Sequence, residues 1–397
     1  MVIMQGKYAY SPPSPPHRRF FVRTFTAIAF VMLPSWLSAE TLPRARDAGI
    51  VIGTHAPGPR NAITDVPGVR VGQFTLAEGR ELNTGVTAIL PHNGNLFMER
   101  VPAAIVVGNG FGKLVGVTQV QELGELETPI LLTGTLGVWK AADAMTGWLL
   151  EQPGMENVRS INPVVGETND GFLNDIRRRP LRPEHVRQAL ESANDGDVAE
   201  GAVGAGAGTV AFGWKGGIGT SSRNVATDAN DFTVGVLVQS NYGGKLSIAG
   251  VPVWESLPKP EDVAASTPAN TGDGSIMIIV ATNASLDARQ LRRLATRALS
   301  GLVRTGSNMS HGSGDYVIAF STAPEVRRHN GKVNTSSATL ADDQLTPLFE
   351  AVADATEEAI LNSLFRATTV HGHRGTAPAL PPKETLDILR KHGKVPR

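Results

Sequence analysis

Ser275 is the residue best placed to do chemistry. It follows Thr271-Gly272-Asp273-Gly274 and opens the apolar run Ile276-Met277-Ile278-Ile279-Val280, so a hydroxyl stands at the start of an expected buried strand. A serine hydroxyl is a weak nucleophile until a base removes its proton. The usual base is histidine and a usual setting is Gly-x-Ser-x-Gly, yet that pattern is missing and the nine histidines lie outside any triad context. A Ser-x-x-Lys spacing occurs at Ser256-Leu257-Pro258-Lys259, but Pro258 breaks the helical turn that would face the hydroxyl toward the amine. The chain contains no cysteine, which excludes disulfides, thiolate metal sites and thiol nucleophiles.

One more base is available. If the peptide bond between Gly274 and Ser275 breaks, Ser275 acquires an α-amine whose pKa of about 7.7–8.0 lies close enough to neutrality to take the hydroxyl proton. The cut could proceed by attack of the Ser275 hydroxyl on the Gly274 carbonyl, an N-to-O acyl shift and hydrolysis of the ester, with Gly272 and Gly274 permitting unusual backbone angles there. Taken by itself, Gly-Asp-Gly before a strand reads first as an ordinary tight turn.

Two other motifs are weaker. Residues 201–223, GAVGAGAGTVAFGWKGGIGTSSR, are glycine-rich, but no Gly-Lys-Ser/Thr follows the glycines, and close backbone packing in a sheet is the simpler expectation. His371-Gly372-His373 supplies two imidazoles without the carboxylates or further ligands that a metal site needs. Lysine plus arginine equals aspartate plus glutamate at 37 each, leaving no electrostatic case for nucleic acid as a partner.

The elements that must hold Ser275 can be read from periodicity. Short strands and turns are expected over residues 50–90, with further buried strands at Val86-Thr87-Ala88-Ile89-Leu90, residues 103–107 and Ile130-Leu131-Leu132. Phe232-Thr233-Val234-Gly235-Val236-Leu237-Val238 reads as a strand ending in the polar Gln239-Ser240-Asn241, and Asp315-Tyr316-Val317-Ile318-Ala319-Phe320 as another. Residues 139–150 read as a helix. A second begins near Ser285 or Asp287 with Leu291, Leu294, Ala295, Ala298 and Leu302 on one face, and a third starts at Thr346-Pro347 with Leu348, Val352, Ala355, Ala359 and Leu364 inward. Residues 245–270, with four prolines, read as an exposed loop before Ser275. No internal repeat or linker divides the remainder, so one mixed, layered domain over residues 40–397 is expected.

The N-terminus differs in character. His17, Arg18, Arg19 and Arg23 precede an apolar run over residues 25–37 that is too short for a bilayer and ends at Ser38-Ala39-Glu40, the pattern of a signal peptide over residues 1–39. Arg18-Arg19-Phe20-Phe21-Val22 also fits a twin-arginine signal. Either route leads to the periplasm, with no stable membrane anchor.

The stretch GDGSIMIIVAT, with LDARQLRRLA after it, resembles the DmpA-type family of self-processing L-aminopeptidases/D-esterases and β-peptidyl aminopeptidases. The likeness extends through PGPRNAITDVPGVRVG, VVGETNDGFLND, GTVAFGWKGGIGTSSR, VGVLVQSNYGG, SGDYVIAFS and TTVHGHRG, over residues 49–374. The resemblance implies an α+β, four-layered αββα sandwich of the Ntn-hydrolase kind, also seen in ornithine acetyltransferase. It implies a cut yielding an α chain of residues 40–274 and a β chain of residues 275–397, and assembly of such αβ heterodimers into a homo-oligomer. No metal or organic cofactor is implied.

Carried over by motif, the resemblance makes Ser275 the nucleophile and Asn241 the side-chain amide that stabilises the oxyanion. It makes Ser313 and Asp315 a hydroxyl and a carboxylate hydrogen-bonding around the nucleophile's hydroxyl and amine, and Glu167 the acid that holds the substrate's free ammonium. Asn169 stands where some members carry a tyrosine as a second oxyanion donor. The expected activity is a serine aminopeptidase or amidase acting on short peptides, amino-acid amides or esters. A hydrolase of ω-amino-acid oligoamides with the same fold, and an unprocessed exported binding protein, are the alternatives. Relatives of the former tend to use threonine, as do the more distant ornithine acetyltransferase-like acyl transferases.

Overall fold

In a computed structural model the chain is described over residues 43–227, 231–264, 274–329 and 339–396, with positions 11 and 331. The leader expected at residues 1–39 lies outside these apart from position 11, as do residues 271–273 of the junction motif. The chain divides into residues 1–40 and residues 41–397, and the fold is that of the second unit. Among the described residues no helix is long and apolar enough to cross a membrane.

In chain order the elements are β1 (Arg70–Glu78), β2 (Leu82–Leu90), β3 (Glu99–Gly110), β4 (Leu114–Val115), α1 (Val117–Leu123), β5 (Glu125–Leu126), β6 (Ile130–Gly134), α2 (Val138–Leu150), β7 (Val164–Thr168), α3 (Pro183–Glu191), β8 (Val210–Ala211), β9 (Trp214–Lys215), β10 (Gly217–Ala226) and β11 (Asp231–Tyr242). There follow α4 (Pro260–Val263), β12 (Gly274–Thr282), α5 (Ala288–Arg304), β13 (Gly314–Ser321), β14 (Arg328–His329), α6 (Thr346–Phe365), β15 (Val370–His371), β16 (Thr376–Ala377) and α7 (Pro382–Lys391). One sheet has the order β1-β2-β6-β7-β4. The larger runs β10-β11-β12-β13-β3-β14, with β5 also on β3. Strand β12 pairs antiparallel with β11 and parallel with β13.

The two sheets pack face to face and each carries helices on its outer side. Ile276, Ile278 and Val280 of β12 join Val236, Val238 and Val317 in a core with α5 and α6. The alternate residues Met277, Ile279 and Ala281 join Ile89, Ile130, Leu132 and Val164 of the smaller sheet. Val86, Leu131 and Val165 on that sheet's other face pack on α2 and α3. The result is the expected αββα sandwich, and it explains why β12 is apolar without alternation: a central strand with a helix layer on one face and a sheet on the other buries every side chain.

Local chemistry sets the helix starts and the closest packing. Asp287 caps α5, its carboxylate accepting from Gln290 N at 2.7 Å while Gln290 Oε1 accepts from Asp287 N at 3.2 Å. Helix α6 lies so close to β10 that a Cβ on Gly219 would sit 2.0 Å from the Ala359 carbonyl oxygen. Here the glycine-rich stretch serves backbone packing, as its lack of a phosphate motif suggested. Arg223, fully buried on β10, pairs with the equally buried Glu358 of α6 at 2.7 Å. Arg46 reaches the same carboxylate at 2.7 Å and ties the N-terminal segment down.

One expectation fails. Residues 245–264 are not simply an exposed loop: Leu246, Ile248, Val251 and Val253 are buried against the α5–α6 core, and residues 253–255 and 260–263 form helical turns. These apolar residues stand as two short pairs, Leu246 with Ile248 and Val251 with Val253, separated by Ala249-Gly250, and neither pair is long enough to mark an element.

Candidate active site

The geometry begins at the junction between Gly274 and Ser275. Gly274 has φ +149°, and a Cβ there would lie 2.2 Å from the Asn241 carbonyl oxygen and 2.5 Å from Tyr242 Cα, so β11 leaves room only for glycine. Ser275 is 6% exposed. Its hydroxyl donates to the Gly274 carbonyl oxygen at 2.7 Å and accepts from the Gly314 N–H at 3.3 Å.

Asn241 is the register partner of Ser275 across the antiparallel β11–β12 ladder. Its side-chain carbonyl accepts the Val210 N–H at 2.9 Å, which fixes the amide orientation and leaves Nδ2 to donate. Two residues earlier, Gln239 Nε2 crosses to the smaller sheet, meeting the Thr133 carbonyl at 3.1 Å and Thr168 Oγ1 at 2.9 Å. The nucleophile's sheet is thereby stitched to β7, the strand that carries Glu167.

Ser313 and Asp315 form a pair of their own. The Ser313 hydroxyl donates to Asp315 Oδ1 at 2.7 Å, while Asp315 Oδ2 is buried with no hydrogen-bond partner among the described residues. Burial pushes the Asp315 carboxyl up to about 6, with the Ser313 hydrogen bond opposing. Register sets Asp315 beside Ile276, and its strand neighbour Val317 faces the helices, whereas Met277, two residues after Ser275, faces the other sheet. Among the described residues no hydrogen bond joins Ser313 or Asp315 to the Ser275 hydroxyl; the contact from this strand comes from the Gly314 N–H. Asn109, not singled out in the sequence, donates from Nδ2 to the Ser310, His311 and Ser313 carbonyls and pins the turn before Gly314.

Glu167, on β7 and 3% exposed, is reached through a short chain of contacts. A Cβ on Gly314 would come within 3.2 Å of Gly112 Cα, and one on Gly112 within 3.2 Å of Glu167 Oε1. That oxygen accepts the Lys113 backbone N–H at 2.9 Å and lies 3.3 Å from Lys113 Nζ. Burial first, then the Glu167 and Asp315 charges, raise the neighbouring Tyr316, so its phenol stays protonated near neutrality. Asn169 uses its side-chain carbonyl to accept the Gly171 N–H at 2.9 Å and close a turn.

Comparison with known proteins supplies the family. The model of peptidase family S58 matches residues 61–377. The chain belongs to peptidase family S58. It is 42% identical over 394 residues to β-peptidyl aminopeptidase BapA of Sphingosinicella microcystinivorans, covering 94% of this chain and 98% of that one. The structure of a Burkholderia sp. β-aminopeptidase superposes with a TM-score of 0.82 at 40% identity, covering 89% of this chain and 100% of that one. The L-aminopeptidase D-Ala-esterase/amidase of Ochrobactrum anthropi, a prototype of the serine aminopeptidases and a variant of the Ntn-hydrolase fold, gives 0.82 at 36% identity with the same coverage. This S58 chain is accordingly a serine aminopeptidase with the Ntn-hydrolase-type sandwich.

Two lysines that the sequence does not single out lie beside these residues. Lys113 has no motif to mark it. Lys215 is fully buried, and its ammonium donates to the Gly206, Thr209 and Gly216 carbonyls at 2.8, 2.9 and 2.8 Å. It thus holds the turn that presents the Val210 N–H to Asn241. Burial lowers the Lys215 ammonium and raises the Asp170 carboxyl near it. A signal did exist: Lys215 is the only charged residue between Glu200 and Arg223. The two histidines of the HGH segment are engaged locally, His371 Nδ1 with Thr376 Oγ1 at 2.9 Å and His373 Nδ1 with Glu81 Oε2 at 3.1 Å.

Proposed function

We propose that the chain cuts itself between Gly274 and Ser275 and that Ser275, now an N-terminal residue, releases amino-terminal residues from short peptides, amino-acid amides or esters. β-Amino acyl residues are included, by likeness to the β-peptidyl aminopeptidase named above. The observation that carries the reading is the Ser275 hydroxyl lying 2.7 Å from the carbonyl oxygen of the bond to be cut, at a position where only glycine fits.

In the first stage Ser275 Oγ adds to the Gly274 carbonyl carbon, the C–N bond breaks, and water hydrolyses the resulting ester, freeing the Gly274 carboxylate and the Ser275 amine. That amine then takes the hydroxyl proton when Oγ attacks a substrate carbonyl and returns it to the leaving amine; water discharges the acyl-enzyme. Asn241 Nδ2 serves the oxyanion, a role commonly worth about 3–4 kcal/mol of barrier. Asp315, with its unpartnered Oδ2, is assigned to the new amine, and Glu167 to the substrate's ammonium. Export to the periplasm through the residue 1–39 leader and assembly of αβ units into a homo-oligomer belong to the same proposal.

The test is intact mass together with anilide hydrolysis. The wild-type chain should yield a fragment of residues 275–397 and release nitroaniline from amino-free substrates. Ser275→Ala should remain one polypeptide without activity. Normal cutting of that variant would end the scheme, and an intact, inactive wild-type chain would favour a binding role.

A further inference from the structure

We propose that Lys113 turns the ammonium site into a two-charge site, and that the preferred acyl residue carries a carboxylate on its amine-bearing carbon: an L-isoaspartyl amide or peptide. This rests on the assignment of Ser275 and Glu167 above.

An ion pair is already present where a cation must bind. Glu167 is buried and fastened by the Lys113 backbone N–H at 2.9 Å, whereas the Lys113 side chain, whose Nζ lies 3.3 Å from the same Oε1, is 39% exposed. The carboxylate is fixed and the ammonium can swing. A substrate bringing only an ammonium sets two cations on one carboxylate, and the second gains less than it would at a free acid. A substrate head bearing both an ammonium and a carboxylate replaces the internal pair by two new ones, Glu167 with its ammonium and Lys113 with its carboxylate.

Chemistry then restricts the linkage. If the carbon bearing the amine also bears a free carboxylate, the scissile carbonyl must belong to the side chain. For aspartate this gives the skeleton amine–carbon–carbon–carbonyl, which is that of a β-amino acyl group. Ser275 Oγ would attack the side-chain amide carbonyl, the C–N bond would break with the hydroxyl proton passing to the departing amine, and water would release L-aspartate from the ester. Isoaspartyl and β-alanyl groups differ only by the carboxylate, so the pair isolates what Lys113 contributes.

The experiment compares L-aspartic acid β-(p-nitroanilide) with β-alanine p-nitroanilide on the processed enzyme. Wild type should favour the aspartyl compound in kcat/KM. Lys113→Met should lower kcat/KM for it about tenfold and lower KM for β-alanine p-nitroanilide about threefold, because the competing ammonium is taken from the Glu167 carboxylate while the backbone N–H still holds it in place; Lys113→Arg should keep the aspartyl preference. Cleavage of the β-alanyl but not the aspartyl compound by wild type would overturn the inference and leave the aminopeptidase reading standing, as would a shift of both substrates in the same direction in Lys113→Met. Cleavage of neither, in a correctly processed enzyme, would remove the β-amino acyl reading and this inference with it.

Discussion

A carboxyl with no exposed surface, one hydroxyl partner and a bare second oxygen is poorly placed to be an anion, and Asp315 is such a group. Its folded pKa, about 6, is above the ordinary carboxylate value of about 4. For a group raised in this way, the stability it contributes is present below the ordinary value and lost as pH rises through the folded one. In the uncut Ser275→Ala background, Asp315→Asn should therefore add up to roughly 3 kcal/mol at pH 8 and almost nothing at pH 4. Urea unfolding at the two pH values checks this; an equal gain at both would mean the carboxyl is not strained by its charge. Asn241→Ala bears on the reaction itself. It should lower kcat by about 10²–10³-fold with little change in KM, since the amide is assigned to charge that develops only in the transition state.

Strands and turns decide whether those side chains point correctly. The Lys215 ammonium gathers three carbonyls around the turn that leads into β8, and the Val210 N–H on that strand orients Asn241. Lys215→Met should lower kcat at least about tenfold, and the double variant with Asn241→Ala should be no worse than Asn241→Ala alone, because both changes remove one function. Additive losses would place Lys215 outside that pathway. The same scale shows what a sequence can and cannot disclose. Strand β12 and helices α5 and α6 were legible because burial imposes a continuous run or a 3.6-residue stripe. Ser275 and Asn241 were visible as polar residues at the ends of such runs. Leu246, Ile248, Val251 and Val253 were not, since they fall in two short pairs among glycine and proline and Ile248 bridges only to Val251, too brief a pattern to mark an element. That Ser313 pairs with Asp315 while the Gly314 N–H meets the Ser275 hydroxyl was equally hidden, since strand face depends on register with a neighbour that the motif does not specify.

At the scale of the molecule, the buried Glu358 carboxylate joins α6, β10 and the N-terminal segment through Arg223 and Arg46. Burial alone would raise it, but the Arg46 hydrogen bond and the Arg223 charge outweigh that and hold it below its ordinary value. Stability from a depressed carboxyl is present above the ordinary value and lost as pH falls through the folded one. Glu358→Gln should thus cost about 3–5 kcal/mol at pH 7, where it strands a buried guanidinium, with a smaller penalty in acid. Melting curves across pH test this, and a penalty that does not shrink in acid would contradict it. The order β10-β11-β12-β13-β3 has a separate outcome. Two strands from beyond residue 274 are flanked on both sides by strands from before it, so the products of a cut there would be interleaved like the fingers of clasped hands. Dilution could not part them, and a processed molecule would travel as one particle until denaturant opened the ladders on both flanks.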